Sequence, residues 1–278
     1  MIDLHIHSRF SDGSLTPEEI VEKAEKAGLT ALALTDHDCV DGVERMLRAC
    51  SDRSITGIPG VEISSEVKKG TLHMLGYYID IQNKNLKTNL EKIRRGRDIR
   101  NTSILARLNE LGLNIAMEDV RSYAGEEVVG RPHFAMALME HGYVRSKKEA
   151  FDLYLAKGRD AYVDRFRLSP GKSVELIRGA GGIPVLAHPF TLELDSRPLK
   201  DYVRLLKEHG LCGIEVYYPE HNDAQQKFYM QIAKELDLIV TGGTDFHGEI
   251  NPGVRIGVGF GSLNVPDGIL REMEKLRR

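Results

Sequence analysis

The feature that most constrains this chain is a repeated alternation of short apolar segments with helical ones. A first helix has Thr16 as its cap, Pro17 at its first position and Glu19 three residues after the cap, and it stops at Gly28. The apolar run of residues 30–34 that follows is typical of a buried parallel strand. Comparable runs start near residues 2, 55, 71, 183, 213 and 238. The pattern predicts an α/β protein with seven strands.

This alternation stops at about residue 81 and resumes only near residue 181. Residues 84–112 read as a long polar helix, and the shorter helical segments near 117–123, 131–142 and 147–157 are joined by Gly125, Gly130, Gly142 and Gly158. We therefore expect residues 1–80 and 168–278 to form one domain, and residues 81–167 to form a helical insert.

Composition excludes several classes of protein. With 41% hydrophobic and 28% charged residues, the 278-residue chain is typical of soluble globular proteins. Its apolar runs are too short for a membrane span, and its start lacks a basic-then-apolar signal segment, so a cytoplasmic location is expected. The three cysteines form no CxxC pair, so any metal must be held by nitrogen and oxygen.

Charge is distributed unevenly along the chain. Residues 81–167 hold 17 Lys/Arg against 12 Asp/Glu, whereas the whole chain has a net charge of −3. The basic insert suggests an anionic ligand, although a solvated helical surface also explains any single charge. Within it, Arg131 and His133 follow a turn and stand at a predicted helix start, where backbone amides and a guanidinium form a plausible anion site.

Histidines and carboxylates collect at the predicted strand ends. His5 and His7 lie on one face of the first strand, as a metal clamp requires. Any one such histidine could instead be a satisfied core residue. The pattern predicts that nine side chains share one rim, at or just beyond the carboxyl ends of strands: His5, His7, Asp12, His37, Glu62, His73, His188, Asp245 and His247. So many N/O donors predict two or three divalent ions, with Mn, Fe and Zn all compatible.

The motifs that carry these residues resemble those of the PHP (polymerase and histidinol phosphatase) family. They are His5-Ile6-His7, Thr35-Asp36-His37-Asp38, Glu62, His73, Ala187-His188-Pro189 and Thr244-Asp245-Phe246-His247. The resemblance implies a distorted (β/α)7 barrel of the PHP type and a trinuclear site. The implied ion sets are His5, His7, Glu62 and Asp245; Glu62, His73 and His188; and Asp12, His37 and His247. Asp12 stands where some relatives have histidine, which favours Mn or Fe in the last set.

The insert, together with one later segment, is similar to the PHP branch that hydrolyses nucleoside 3′,5′-bisphosphates and trims short 5′-phosphorylated RNA. The segments that carry this likeness are 129–133, 142–144, 161–163 and 217–221. The likeness implies that the insert caps the metal rim, and that the substrate is a small phosphorylated nucleotide or a short RNA. It adds Ser11, Asp36 and His221 to Arg131 and His133 as expected substrate contacts.

The expected reaction is hydrolysis of a phosphate monoester by a hydroxide that bridges two ions. Asp245 is expected to accept the proton of the attacking water, while Arg131 and His133 stabilise the phosphate. His37 and His247 are expected to act as ligands, because a metal-bound imidazole cannot also deliver a proton. No membrane contact or obligatory protein partner is indicated.

Four alternatives are also compatible with the sequence. A related phosphatase with a substrate like histidinol phosphate, or a DNA exonuclease, would share the metals. The chain has no Trp and no extended basic or aromatic track, which favours short substrates over long strands. An amidohydrolase-type C–N hydrolase would use a similar histidine-rich barrel without a basic cap, and a non-catalytic metal-binding domain would not need the whole ligand set.

Overall fold

A computed structural model describes residues 1–124 and 129–277 of the chain. Its strands form one sheet in sequence order: β1 (Ile2–Ile6), β2 (Ala31–Leu34), β3 (Thr56–Ser65), β4 (Leu72–Tyr77), β5 (Ile183–Leu186), β6 (Gly213–Tyr217) and β7 (Ile239–Gly242). The predicted α/β class and seven strands are confirmed. Gly125, expected to join two helices, lies outside the described residues.

Ten α-helices accompany the sheet in the described part of the chain. They are α1 (Pro17–Lys26), α2 (Val43–Ser51), α3 (Lys84–Glu110), α4 (Met117–Ala124), α5 (Arg131–Glu140), α6 (Lys147–Ala150), α7 (Pro170–Gly179), α8 (Ser196–Glu208), α9 (Asp223–Glu235) and α10 (Gly268–Leu276). The capping box of Thr16 and Glu19 begins α1 as predicted. None of the described helices is both long and apolar enough to cross a membrane.

The direction of one strand differs from the pattern that the sequence indicated. β4 is antiparallel to both β3 and β5, whereas the other strand pairs are parallel. His73 therefore lies at the amino end of β4, which corrects its predicted place at a carboxyl end. Because antiparallel neighbours start and finish at opposite edges, this reversal brings His73 to the edge where the adjoining strands present their ligands.

The two ends of the sheet meet, so the sheet curls into a distorted barrel. His7 N–H donates to Phe246 O at 2.9 Å, which joins the end of β1 to the segment after β7. The approach depends on Gly243, since a Cβ there would lie 2.3 Å from the backbone nitrogen of His5. This closure brings the first and last motifs of the chain together.

The chain divides into two compact units, residues 1–91 with 167–278 and residues 92–166. The first has a core of strand side chains such as Leu4, Ala33, Ile58 and Val185. The boundary between the first and second units falls within α3, later than residue 80, because the start of that helix belongs to the first unit. Asn83, just before the helix, donates to Gly179 O at 3.1 Å.

The second unit has its own apolar core. Ile104 and Leu108 of α3 are buried with Val120 of α4 and with Phe134 and Leu138 of α5. A unit of this kind can order side chains on its surface independently of the barrel.

Candidate metal centre

Glu62 of β3 stands at the centre of the strand-end side chains. Its Oε1 lies 2.8 Å from His73 Nδ1 and 3.0 Å from His188 Nε2. Its Oε2 lies 2.9 Å from His37 Nδ1, 3.3 Å from His7 Nε2 and 3.4 Å from His5 Nε2. One buried carboxylate thus faces five imidazoles, an arrangement suited to bridging more than one cation.

Asp245 and Asp12 complete the cluster on either side of His7. Asp245 Oδ1 lies 3.0 Å from His7 Nε2 and 3.3 Å from His5 Nε2. Asp12 lies 3.3 Å from His247 Nε2 and 3.5 Å from His37 Nε2. The structure therefore brings all nine predicted ligands together, although they come from six separate stretches of chain.

Three overlapping groups in this cluster have ligand atoms that all lie within 4.8 Å of one another. The groups are His5, His7, Glu62 and Asp245; His7, Asp12, His37 and His247; and His37, Glu62 and His73. The first is the same as one implied ion set. The second adds His7 to the implied set of Asp12, His37 and His247. The third has His37 where the implied set has His188, although His188 Nε2 also lies 3.0 Å from Glu62 Oε1.

The chemistry of these donors fits divalent cations. Buried polar atoms are normally hydrogen-bonded, because an unsatisfied one is destabilising. Several buried nitrogen and oxygen atoms of the cluster have no hydrogen-bond partner: His5 Nε2, His7 Nε2, Asp12 Oδ1, His37 Nδ1, Glu62 Oε2 and His73 Nδ1. They converge on the same space, and cations bound there would satisfy all of them at once.

The charges of the cluster are strongly coupled. Burial alone would lower the pKa of His7, but Asp245 and Glu62 more than offset it and raise the pKa to about 10. Burial would raise the pKa of Glu62, but the surrounding imidazoles, His37 foremost, hold it well below its usual value. Burial lowers the pKa of His73 to about 4. Without metal, protonated imidazoles balance the carboxylates, and a cation would replace their protons.

Two of the predicted ligands have an unusual backbone conformation. His188, after β5, has a φ of 23°, and Asp245, after β7, has a φ of 52°. L-residues seldom adopt positive φ, and such strain persists only where the surroundings impose it. Its presence at two ligands is typical of a functional site.

Ser11 and Asp36, which were expected to contact substrate, lie buried under the cluster. The Ser11 hydroxyl donates to Asp36 Oδ1 at 2.7 Å and lies 3.5 Å from His7 Nδ1. Asp36 also accepts from the backbone N–H and the hydroxyl of Ser8. These contacts orient His7 and its loop, and direct contact of Ser11 or Asp36 with substrate stays a prediction.

His221, the third expected substrate contact, is also buried. Its Nδ1 donates to Val216 O at 2.8 Å, and its ring packs against Phe190, Tyr218 and Tyr229. Through Tyr218 it is one residue removed from Asp245, so it belongs to the surroundings of the cluster.

Arg131 and His133 lie at the start of α5 in the second unit, as predicted. The Arg131 guanidinium packs on the rings of Phe151 and Tyr162, with its carbon 5.7 and 5.4 Å from their centroids. His133 Nδ1 accepts the Gly130 N–H at 3.1 Å, so a neutral His133 ring has its hydrogen on Nε2. Both side chains are ordered by their own unit.

Two residues at the centre were not predicted from the sequence. Glu215 of β6 is fully buried, with Oε1 2.9 Å from His5 Nδ1. The Tyr218 hydroxyl donates to Asp245 Oδ2 at 2.8 Å. A charged residue in the apolar run of β6 was a signal for Glu215, because an acidic side chain is rarely buried without a partner.

Residues 3–241 match the PHP domain. The chain belongs to the PHP family. Among its relatives is a 3′,5′-nucleoside bisphosphate phosphatase of Chromobacterium violaceum, which is 35% identical over 88% of this chain and 87% of that protein. A 5′-3′ exoribonuclease of Haemophilus influenzae is 32% identical over 88% of this chain and 89% of that protein.

Two solved structures agree with the fold. A Chromobacterium violaceum protein described as an amidohydrolase, with bound sulfate and no metal, is 33% identical and has a TM-score of 0.82, covering 99% of this chain and 96% of that one. A metal-dependent phosphoesterase from Bifidobacterium adolescentis is 29% identical with a TM-score of 0.80 and the same coverage. Together with the His/Asp/Glu cluster, these likenesses indicate a site for divalent metal ions.

Proposed function

We propose that the protein is a metal-dependent phosphoesterase that removes the 3′-phosphate of nucleoside 3′,5′-bisphosphates. The observation that carries the proposal is the convergence of five imidazoles on Glu62, flanked by Asp12 and Asp245. The bisphosphate phosphatase among its relatives supports the substrate class. We propose two to three ions of Mn, Fe or Zn, held by the nine residues of the cluster.

Bound ions would supply Lewis acidity, which lowers the pKa of water and neutralises charge on the phosphoryl oxygens. The residues of the chain supply the remaining chemistry. Burial would raise the pKa of Asp245, but His5 and His7 more than offset it and hold the pKa well below its usual value, so the carboxylate is ionised. We assign it as the acceptor of the proton from the attacking water, with the Tyr218 hydroxyl fixing its orientation.

Recognition of the substrate phosphate is assigned to Arg131 and His133. A guanidinium packed on two rings keeps its planar fork in a fixed orientation, which suits bidentate binding of a phosphate. His133 offers an Nε2–H donor in its neutral form. The excess of Lys/Arg in residues 81–167, which include this unit, supports an anionic ligand.

Two other activities are each favoured by a specific observation. The exoribonuclease among the relatives favours trimming of short 5′-phosphorylated RNA by the same site. The solved structure described as an amidohydrolase favours cleavage of a C–N bond. The second activity would yield no inorganic phosphate.

The test compares adenosine 3′,5′-bisphosphate, a 5′-phosphorylated trinucleotide, p-nitrophenyl phosphate and a set of amides, each with Mn and each after chelation. We expect the highest kcat/KM for the bisphosphate, with inorganic phosphate as product, and loss of turnover on chelation. Elemental analysis should give two to three equivalents of metal. His209→Ala is the control, because that surface imidazole pairs with Glu175, away from the cluster. Amide cleavage without phosphate release, or less than one equivalent of metal, would refute the proposal.

A further inference from the structure

We propose that Glu215 is a positioning residue that makes Nε2 the ligating nitrogen of His5 and links His5 to His188. Metal affinity then depends on a carboxylate that does not itself bind an ion. The inference rests on the proposed metal site. It concerns a residue that belongs to none of the ion sets and was not among the predicted site residues.

Both oxygens of Glu215 are engaged with residues of the cluster. Oε1 lies 2.9 Å from His5 Nδ1, and Oε2 accepts the backbone N–H of His188 at 2.8 Å. Among residues 1–124 and 129–277, Glu215 forms no ion pair with lysine or arginine. A fully buried carboxylate without such a cation needs these two donors, because burying an unpaired charge is strongly destabilising.

The first contact determines which nitrogen of His5 can bind metal. A carboxylate only accepts hydrogen bonds, so the hydrogen of a neutral His5 ring must lie on Nδ1. The lone pair is then on Nε2, which has no hydrogen-bond partner and lies 3.3 Å from Asp245 Oδ1 and 3.4 Å from Glu62 Oε2. Glu215 thus directs the basic nitrogen of His5 toward the other ligands of its ion set.

His5 differs from other imidazoles of the cluster in the charge of its partner. Three of the others also turn Nε2 toward the carboxylates and have a neutral oxygen near Nδ1: Asp245 O for His247 at 2.8 Å, Thr191 Oγ1 for His188 at 3.1 Å, and Ser11 Oγ for His7 at 3.5 Å. His37 and His73 instead present Nδ1 itself to Glu62, which is one of the predicted ligands. A carboxylate raises the basicity of a ligating imidazole more than a neutral acceptor does. Among these four Nε2-facing imidazoles, His5 is therefore the one whose binding to metal should depend most on its partner.

The second contact constrains a strained backbone. His188 has a φ of 23°, and its N–H is held by Glu215 Oε2. Strain of this kind persists when neighbouring groups determine the conformation. One side chain of β6 therefore aligns His5 on β1 and His188 after β5, two ligands that serve different ion sets.

Glu215→Gln tests this role while preserving size. An amide has a single acceptor oxygen, and the backbone N–H of His188 cannot become an acceptor. We expect the amide oxygen to retain His188, so that its NH2 group faces His5 Nδ1 and moves the ring hydrogen to Nε2. Metal binding should then weaken by about 10- to 100-fold, as measured by chelator competition with Zn and Mn, while the far-UV spectrum stays unchanged.

Glu175→Gln is the matched control, because Glu175 also contacts a histidine Nδ1, that of His209, but on the surface. It should bind metal like the wild type. A folded Glu215→Gln protein with wild-type dissociation constants would overturn the inference and leave the metal site standing. If the wild type bound no metal, the proposed function itself would fail, and the inference with it.

A measurement on the wild type does not depend on the folding of the variant. In the Zn-loaded protein with 15N-labelled histidine, long-range 1H–15N correlation should show His5 with hydrogen on Nδ1 and metal on Nε2. Hydrogen on Nε2, or metal on Nδ1, would overturn the inference.

Discussion

The hydroxyl of Tyr218 donates a hydrogen bond to Oδ2 of Asp245 at 2.8 Å, while the other carboxylate oxygen faces His5 and His7. The two oxygens of Asp245 therefore have different surroundings. The phenol restricts rotation of the Asp245 carboxylate, and the backbone of Asp245 itself has a φ of 52°. An oriented carboxylate can ligate a cation through one oxygen only, which leaves a defined acceptor for the reaction.

We expect Tyr218→Phe to lower kcat by about 10- to 150-fold, because a hydrogen bond to a charged group contributes about 1.5–3 kcal/mol and the ring itself is kept. KM and metal content should change little. Steady-state kinetics with the bisphosphate and elemental analysis provide the measurement. Tyr217→Phe removes the neighbouring hydroxyl and should behave like the wild type. Equal kcat in both variants would show that orientation of Asp245 does not limit the reaction.

Metal binding should release protons near neutral pH. The pKa of His7 is raised to about 10 in the metal-free protein, so His7 is protonated there and must lose its proton on ligation. Affinity should therefore rise with pH between about 6 and 9. Calorimetry at pH 7.5 in buffers of different ionisation enthalpy should find at least one proton released in all. Binding that is independent of the buffer would contradict this prediction.

The same shift affects the stability of the metal-free protein. Because the folded pKa of His7 lies above its ordinary value of 6.5, its pairing stabilises the fold fully below about pH 6.5. That contribution falls as the pH rises toward 10 and is absent above it. Denaturant unfolding of the metal-free protein should show that the free energy of unfolding falls over this pH range. His7→Gln should reduce the dependence of that free energy on pH.

Gly243→Ala should displace His5 and so weaken the metal site. A Cβ at residue 243 would lie 2.3 Å from His5 N and 2.4 Å from His5 Cβ, so β1 would have to shift. We expect a loss of about 1–3 kcal/mol in unfolding free energy, as is usual for overpacking, and weaker metal binding. Gly179→Ala is the control, since its Cβ would meet no atom within 4 Å. Equal effects of the two substitutions would contradict the close approach of the sheet ends.

Arg131→Ala tests whether the second unit recognises phosphate. Loss of a bidentate, charge-assisted contact of about 2–4 kcal/mol would lower kcat/KM for the bisphosphate by about 30- to 1000-fold. Metal content should not change, and Arg131→Lys should recover only part of the loss. The defect should be smaller with p-nitrophenyl phosphate. Arg121→Ala removes a charge from the same unit without the proposed contact. Wild-type activity of Arg131→Ala on both substrates would remove the bisphosphate assignment.

Much of the fold and of the cluster was predictable because it is encoded locally. The capping box of Thr16 and Glu19 marks a helix start, and apolar runs such as residues 30–34 mark buried strands. Ligand-type side chains next to such runs can be predicted to meet, since strand ends share an edge of the sheet. The nine candidate ligands follow from position along the chain together with the family motifs.

Tertiary structure alone decided the direction of β4, because periodicity within a strand is the same in either direction. It also decided the contacts of Glu215 and Tyr218, which depend on a partner 210 residues away for Glu215 and 27 residues away for Tyr218. The residues next to Glu215 and Tyr218 in the sequence do not indicate which distant side chains the two will contact. The positive φ of His188 is decided in the same way, by the hydrogen bonds that surround it rather than by its own preference.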